Sequence, residues 1–266
     1  MLKFSLPGVP VTVHWSFLIV AFFGLNRFDT GLEIAGWTLA VFGAVLLHES
    51  GHAYSAKAYG STDVSVTLFA LGGYTTWLPK PTLTPGKRFV ISAAGSAVGI
   101  VAGLLILWAN SVGVFEGFPS WALAFFDTFV LVGLFWGVLN WIPLLPLDGG
   151  HMLNHALAVF WPKQAPNITL GVSTVVGVGL IGAAFYYQQT FMAIFLIFIL
   201  FSGWRQRPML AAPEAAEPPT VDPHRSVSPN PAVGPYPPAD PTPPVRPYPP
   251  ADPTPTEEPD PPAFPI

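Results

Sequence analysis

Apolar residues gather along this chain into runs of bilayer length. A hydrocarbon core about 30 Å thick asks for about 20 apolar residues per helical span. Six runs answer to that demand: residues 11–25, 34–59, 89–108, 121–141, 168–187 and 191–204. The first is short, and the second carries His48, Glu49 and His52 in its interior. Between the second and third runs the period changes, because Val64, Val66, Leu68 and Ala70 alternate with Ser65, Thr67 and Phe69 up to Leu71-Gly72-Gly73-Tyr74. Period two with β-branched residues predicts a strand, or a hairpin turning at the glycines. A surface loop with some strand character is the alternative. Pro143 and Pro146 break the helix after the fourth run, since each lacks an N–H and disfavours helix at the residue before it. A short helix is expected from Asp148 toward Phe160, where Trp161-Pro162 stops it. The predicted fold class is an all-α polytopic membrane protein with about six transmembrane helices, a small β-strand or hairpin insertion after the second, and a disordered tail.

The tail begins where the apolar pattern ends. Of the 32 prolines, 22 fall in residues 208–266, and residues 235–243 recur unchanged as 247–255. With so few aliphatic side chains the segment is expected to stay disordered, with polyproline character. It reads as a solvated spacer or as a PxxP docking segment for an unidentified partner. The division is a membrane domain over 1–207 and an acidic Pro-rich tail over 208–266.

Composition sharpens this picture. Only 10% of the 266 residues are charged, against about 25% for a soluble domain, which excludes an ordinary soluble enzyme. The formal net of −4 is the sum of +2 in residues 1–207 and −6 in the tail. Such a chain has no basic footprint for nucleic acid. The absence of cysteine removes disulfides, thiolate nucleophiles and Cys-ligated metal sites. Lys3 followed by Pro7 and Pro10 does not read as a cleavable signal peptide. With both termini cytoplasmic, that side collects Lys3, Lys57, Lys80, Lys87, Arg88, Lys163, Arg205 and Arg207, and the other side only Arg27. The expected location is the plasma membrane, with the ends of the second and fourth spans at one face.

His48-Glu49-Ser50-Gly51-His52 has the H-E-x-x-H spacing. On a helix, positions i and i+4 share a face, so both imidazoles reach one Zn²⁺ while the glutamate stands beside the ion as a base. A pair of satisfied core histidines is the plain alternative. It is weakened by the cost of ionisable side chains at membrane depth, about 2.5–3.5 kcal/mol each on an insertion scale. A hydrolytic zinc site takes a third protein ligand, and the candidates are Asp127, Asp148, His151 and His155. Asp127 falls at the far face by the predicted topology. Asp148 falls at the face of His52, on backbone that prolines unwind and glycines let turn. Taken alone, Asp-Gly-Gly reads as a turn or helix N-cap. The nine tryptophans mostly flank spans as interfacial belts.

H-E-x-G-H on an early span, together with Asn140-Trp141-Ile142-Pro143-Leu144-Leu145-Pro146-Leu147-Asp148-Gly149-Gly150 on a later one, resembles the site-2 protease family of intramembrane zinc metalloproteases. Val13-His14-Trp15-Ser16-Phe17 and Leu71-Gly72-Gly73 are similar to its compact members, without PDZ or CBS domains. The resemblance covers about residues 1–205. It implies one zinc per chain held by His48, His52 and Asp148, Glu49 as general base, and Asn140 positioning the scissile carbonyl. It further implies cleavage of a transmembrane segment of a single-pass membrane-protein substrate. Two departures stand out: Ala94-Gly95-Ser96-Ala97-Val98-Gly99 lacks the family's proline and asparagine, and Leu145 replaces a further proline. Gly95, Gly99 and Gly103 suit close helix packing instead. His151 reads either as a hydrogen-bond partner near Asp148 or as a polar helix-start residue, and His14 and His155 as satisfied or interfacial histidines. The 64–74 stretch is expected to offer an edge strand to an unwound substrate by β-augmentation. Competing readings are a membrane metalloprotease for lipidated C-terminal peptides, which would use a later Glu or His ligand, and a noncatalytic adaptor with a vestigial site.

Overall fold

The computed structural model describes residues 1–206, apart from 71 and 81, and residue 210; the tail expected from residue 208 otherwise lies outside the described residues. The chain opens with β1 (Leu2–Leu6) and β2 (Val9–Val13), then a 3₁₀ turn (Trp15–Leu18) leading into α1 (Ile19–Leu25). The long helix α2 (Gly31–Ala58) is followed by β3 (Thr62–Phe69) and β4 (Gly72–Leu78), and then by α3 (Pro85–Ser111). α4 (Ser120–Val130) passes through a π-helical stretch (Leu131–Trp136) into α5 (Gly137–Leu139). α6 (Asp148–Phe160), α7 (Ala165–Tyr186) and α8 (Thr190–Arg205) complete the described chain.

Among the described residues, four helices are long and apolar enough to cross a membrane: α2, α3, the continuous Ser120–Leu139 run and α7. The other two expected spans are shorter. Residues 11–13 belong to β2, which leaves a helix over Trp15–Leu25 only. The cause lies in the β-branched run Val9, Val11, Thr12 and Val13, which pairs with a distant strand before any helix starts. Thr190–Arg205 spans 16 residues, about 24 Å of helix.

Local chemistry sets the helix ends. Thr30 and Glu33 form a reciprocal capping box at the start of α2. Thr84 caps α3, with Pro85 in its first turn. Gly36, Ala40 and Ala44 are buried on α2, which packs against both α3 and α4. Small residues at this spacing let helix backbones approach where lipid supplies no hydrophobic drive. The Gly95, Gly99 and Gly103 stripe of α3 works the same way, with Gly99 and Gly133 of the π-helical stretch in backbone-to-backbone contact.

The expected hairpin is β3–β4, and it belongs to a four-stranded sheet of order β1-β2-β3-β4. β1 pairs antiparallel with β2, β2 parallel with β3 in the register Val11 to Val66 and Val13 to Leu68, and β3 antiparallel with β4. One face of the sheet buries Val9, Val11, Val64, Val66 and Leu68 against Ala53 and Ala56 of α2 and Ile91 of α3. The edge-strand expectation for 64–74 needs correction on this point. β3 is paired on both sides, and the strand with a free edge on this side of the sheet is β4. The difference arises because β2 supplies a partner from the far end of the sequence.

Candidate metal centre

Two turns of α2 set the first half of the site. His48 and His52 point their Nε2 atoms at each other, 3.1 Å apart. The orientation of His52 is fixed from behind, since its Nδ1–H donates to the Ile91 carbonyl of α3 at 2.7 Å and so leaves Nε2 as the lone-pair nitrogen. Gly95 makes this ring position available, because a Cβ there would overlap the His52 imidazole.

The second half arrives with Asp148 at the first turn of α6. Its Oδ2 lies 3.3 Å from each imidazole Nε2 and accepts a hydrogen bond from Ser96 Oγ at 3.1 Å. The turn that delivers it depends on close backbone approach. The Gly149 N–H donates to the Asn140 carbonyl, and a Cβ on Gly149 would strike the carbonyl oxygens of Trp141 and Ile142. Asp-Gly-Gly is therefore both a helix start and the turn that brings the carboxylate to the two histidines.

Glu49 is 5% exposed and is held from the sheet. Thr75 Oγ1 of β4 donates to Glu49 Oε2 at 2.7 Å, and Gly73 leaves the room that the glutamate side chain occupies. Asn140, 8% exposed at the end of α5, makes no side-chain hydrogen bond among the described residues. It lines the same cavity of about 600 Å³ as His48, Glu49, His52 and Asp148, together with Tyr74 and Thr75 of β4.

Three donor atoms with separations of 3.1, 3.3 and 3.3 Å test the fit of a metal directly. Ligand atoms about 2.0–2.1 Å from a tetrahedral zinc stand about 3.3–3.4 Å from one another. Two neutral imidazoles and a carboxylate also form a donor set that suits zinc. The described residues hold no other group of three histidines or acids so close. Asp127 sits elsewhere, in a small pocket beside Asn110 and Phe126. His14 bonds locally to Ser16. His151 and His155 line the central cavity, and His151 makes no hydrogen bond to Asp148.

Thr75, Ser96 and the Ile91 carbonyl are missing from the sequence reading. Ser96 carries a faint signal, a hydroxyl among the small residues of a largely apolar span, and the structure buries it fully. Thr75 carries none, since alternation places it on a face without saying what it meets. Ser96→Ala is expected to weaken zinc affinity about 10- to 100-fold while leaving the fold intact. A competition titration against a chromogenic chelator measures this, and unchanged affinity would show that the Ser96 bond does not orient Asp148.

Comparison with known proteins agrees with this geometry. No family model matches the chain. A protein of Synechocystis sp. that is provisionally named a zinc metalloprotease is 30% identical over 68% of this chain and 50% of its own length. The zinc metalloprotease MJ0392 of Methanocaldococcus jannaschii is 29% identical over 58% of this chain and 44% of its own. The chain thus spans about half the length of the relatives it matches. Among solved structures, the site-2 protease from Methanocaldococcus jannaschii superposes with a TM-score of 0.56 at 23% identity, covering 77% of this chain and 94% of that one. Fold and triad together define an integral membrane protein built on a metalloprotease scaffold with a zinc-type donor set. The chain has the fold of that site-2 protease and is similar over its membrane part to proteins named zinc metalloproteases.

Proposed function

We propose that this protein is a zinc-dependent intramembrane endopeptidase, in which His48, His52 and Asp148 hold the metal, Glu49 is the general base and Asn140 supplies a donor to the scissile carbonyl. The observation that carries the reading is a zinc-sized triangle of donors, two of which share a helix of membrane-spanning length with a buried glutamate while the third comes from α6. Zinc bound there would supply Lewis acidity toward the carbonyl and the acidification of water.

The chain's own residues do the rest. Thr75 holds the Glu49 carboxylate at a fixed place beside the triad, where it takes a proton from the attacking water and returns it to the leaving nitrogen. Asn140 brings an unengaged side-chain amide to the same cavity, where a donor aimed at a developing oxyanion is worth about 10²–10³ in rate. A substrate helix hides its carbonyls in internal hydrogen bonds, so cleavage requires an unwound segment whose freed backbone finds partners. The free edge of β4, with Gly72 to Thr75 lining the cavity, is suited to receive it.

The substrate on this reading is a transmembrane segment of a single-pass membrane protein; the protein itself sits in the plasma membrane, and the excess of Lys and Arg on one side supports cytoplasmic termini. A protease for lipidated C-terminal peptides is disfavoured by the ligand set, since the third donor is Asp148 of an Asp-Gly-Gly turn. Membrane fractions from cells carrying wild-type protein or Glu49→Gln, compared by quantitative proteomics, test the proposal. Accumulation of at least one single-span fragment in the variant is expected, and identical membrane proteomes would refute it.

A further inference from the structure

The face of α6 that begins with Asp148 continues with His151 and His155, at i+3 and i+7 of the same helix. Both imidazoles line the central cavity, and neither makes a hydrogen bond among the described residues. Imidazole nitrogens that open into a cavity without a protein partner are available to an occupant. Gln206 lines the same cavity, and its side-chain carbonyl oxygen is buried without a hydrogen-bond partner among the described residues.

The spacing narrows what the occupant is. His151 and His155 stand at i and i+4, the relation that brings the Nε2 atoms of His48 and His52 within 3.1 Å of each other on α2. Burial pushes the His155 imidazole down to about 4, with His151 and Arg88 adding to the effect. Burial also lowers His151, against the pull of Asp148. Neutral imidazole is the form that binds metal.

We propose that His151 and His155 form a second site, weaker than the triad, for a divalent transition-metal ion of the zinc, cobalt or nickel type. Two imidazoles at one helical turn chelate such ions, and borderline nitrogen donors select them over magnesium or calcium. The site is weaker than the triad for two reasons. It offers two protein nitrogens and no carboxylate, and the Arg88 guanidinium beside His155 opposes a further cation. A rise of 1.5 Å per residue sets the backbone positions of the two histidines about 4.5 and 10.5 Å along the helix axis from Asp148, so an ion held by them occupies the cavity beside the first site. Zinc in excess of one equivalent is accordingly expected to slow cleavage.

Metal counting tests the site without any activity measurement. Full-length protein in detergent is dialysed against rising free Zn²⁺, and bound zinc per chain is measured by plasma mass spectrometry. The wild type is expected to take one tight equivalent and then a second, weaker one, whereas His151→Ala and His155→Asn take only the tight one. With Co²⁺ as the probe, the second increment of visible absorption disappears in the same variants. His155→Asn decides, because His151 stands one turn from Asp148. Saturation of the wild type at one equivalent, meaning that water alone fills the pair, overturns the proposal, as does a second equivalent that survives His155→Asn. A failure of the triad reading looks different: the tight equivalent then survives His48→Ala, and the His155 comparison still decides the second site.

Discussion

Glu49→Gln is expected to keep its zinc and lose about 10²–10⁴ of the cleavage rate. The variant removes a proton acceptor and no metal ligand. Its amide still accepts from Thr75 Oγ1 through the side-chain oxygen, so the 2.7 Å contact to β4 and the surrounding packing persist. The measurement pairs metal content of the purified protein with turnover of a substrate found by the proteomic comparison. Retained zinc with an unchanged rate would remove Glu49 from the mechanism. Lost zinc would show that the glutamate reaches the metal itself.

Asp148→Ala is expected to do the reverse and abolish tight zinc binding, with cleavage lost as a consequence. Asp148 is the sole anion of the triad and the one donor contributed from outside α2. Its loss leaves two imidazoles facing each other at 3.1 Å, a poor competitor for zinc against water and chelators. His52→Ala is expected to match it, and it also releases the Ile91 carbonyl from its hydrogen bond. Tight zinc retained in Asp148→Ala would assign the third ligand elsewhere.

Much of this site is legible in the sequence because its chemistry rests on short-range spacing. H-E-x-x-H places two imidazoles on one helix face wherever that helix forms, and Asp-Gly-Gly after two prolines announces a sharp turn beside an acid. The partners that orient these groups are a different matter. Thr75, Ser96 and the Ile91 carbonyl reach the site only through tertiary packing, and no local period marks them. The N-terminal hairpin is obscured for a related reason. Val9 to Val13 joins without a break onto an apolar run, and a short β-branched segment there cannot be told from the start of a span until its partner, β3, is known. That ambiguity accounts for the first of the six apolar runs, whereas the last is a helix of only 16 residues.

The linear order of the triad also sets a clock. His48 and His52 leave the ribosome first, and Asp148 follows 96 residues later, about 5–20 seconds at ordinary rates of elongation. During that interval the nascent membrane protein carries a glutamate and two histidines with no third ligand. On the proposed reading, the polypeptides that share its insertion machinery meet a hydrolase that is still unarmed. A chain truncated anywhere before Asp148, by a premature stop or a stalled ribosome, would then lack the third donor however well its first helices insert.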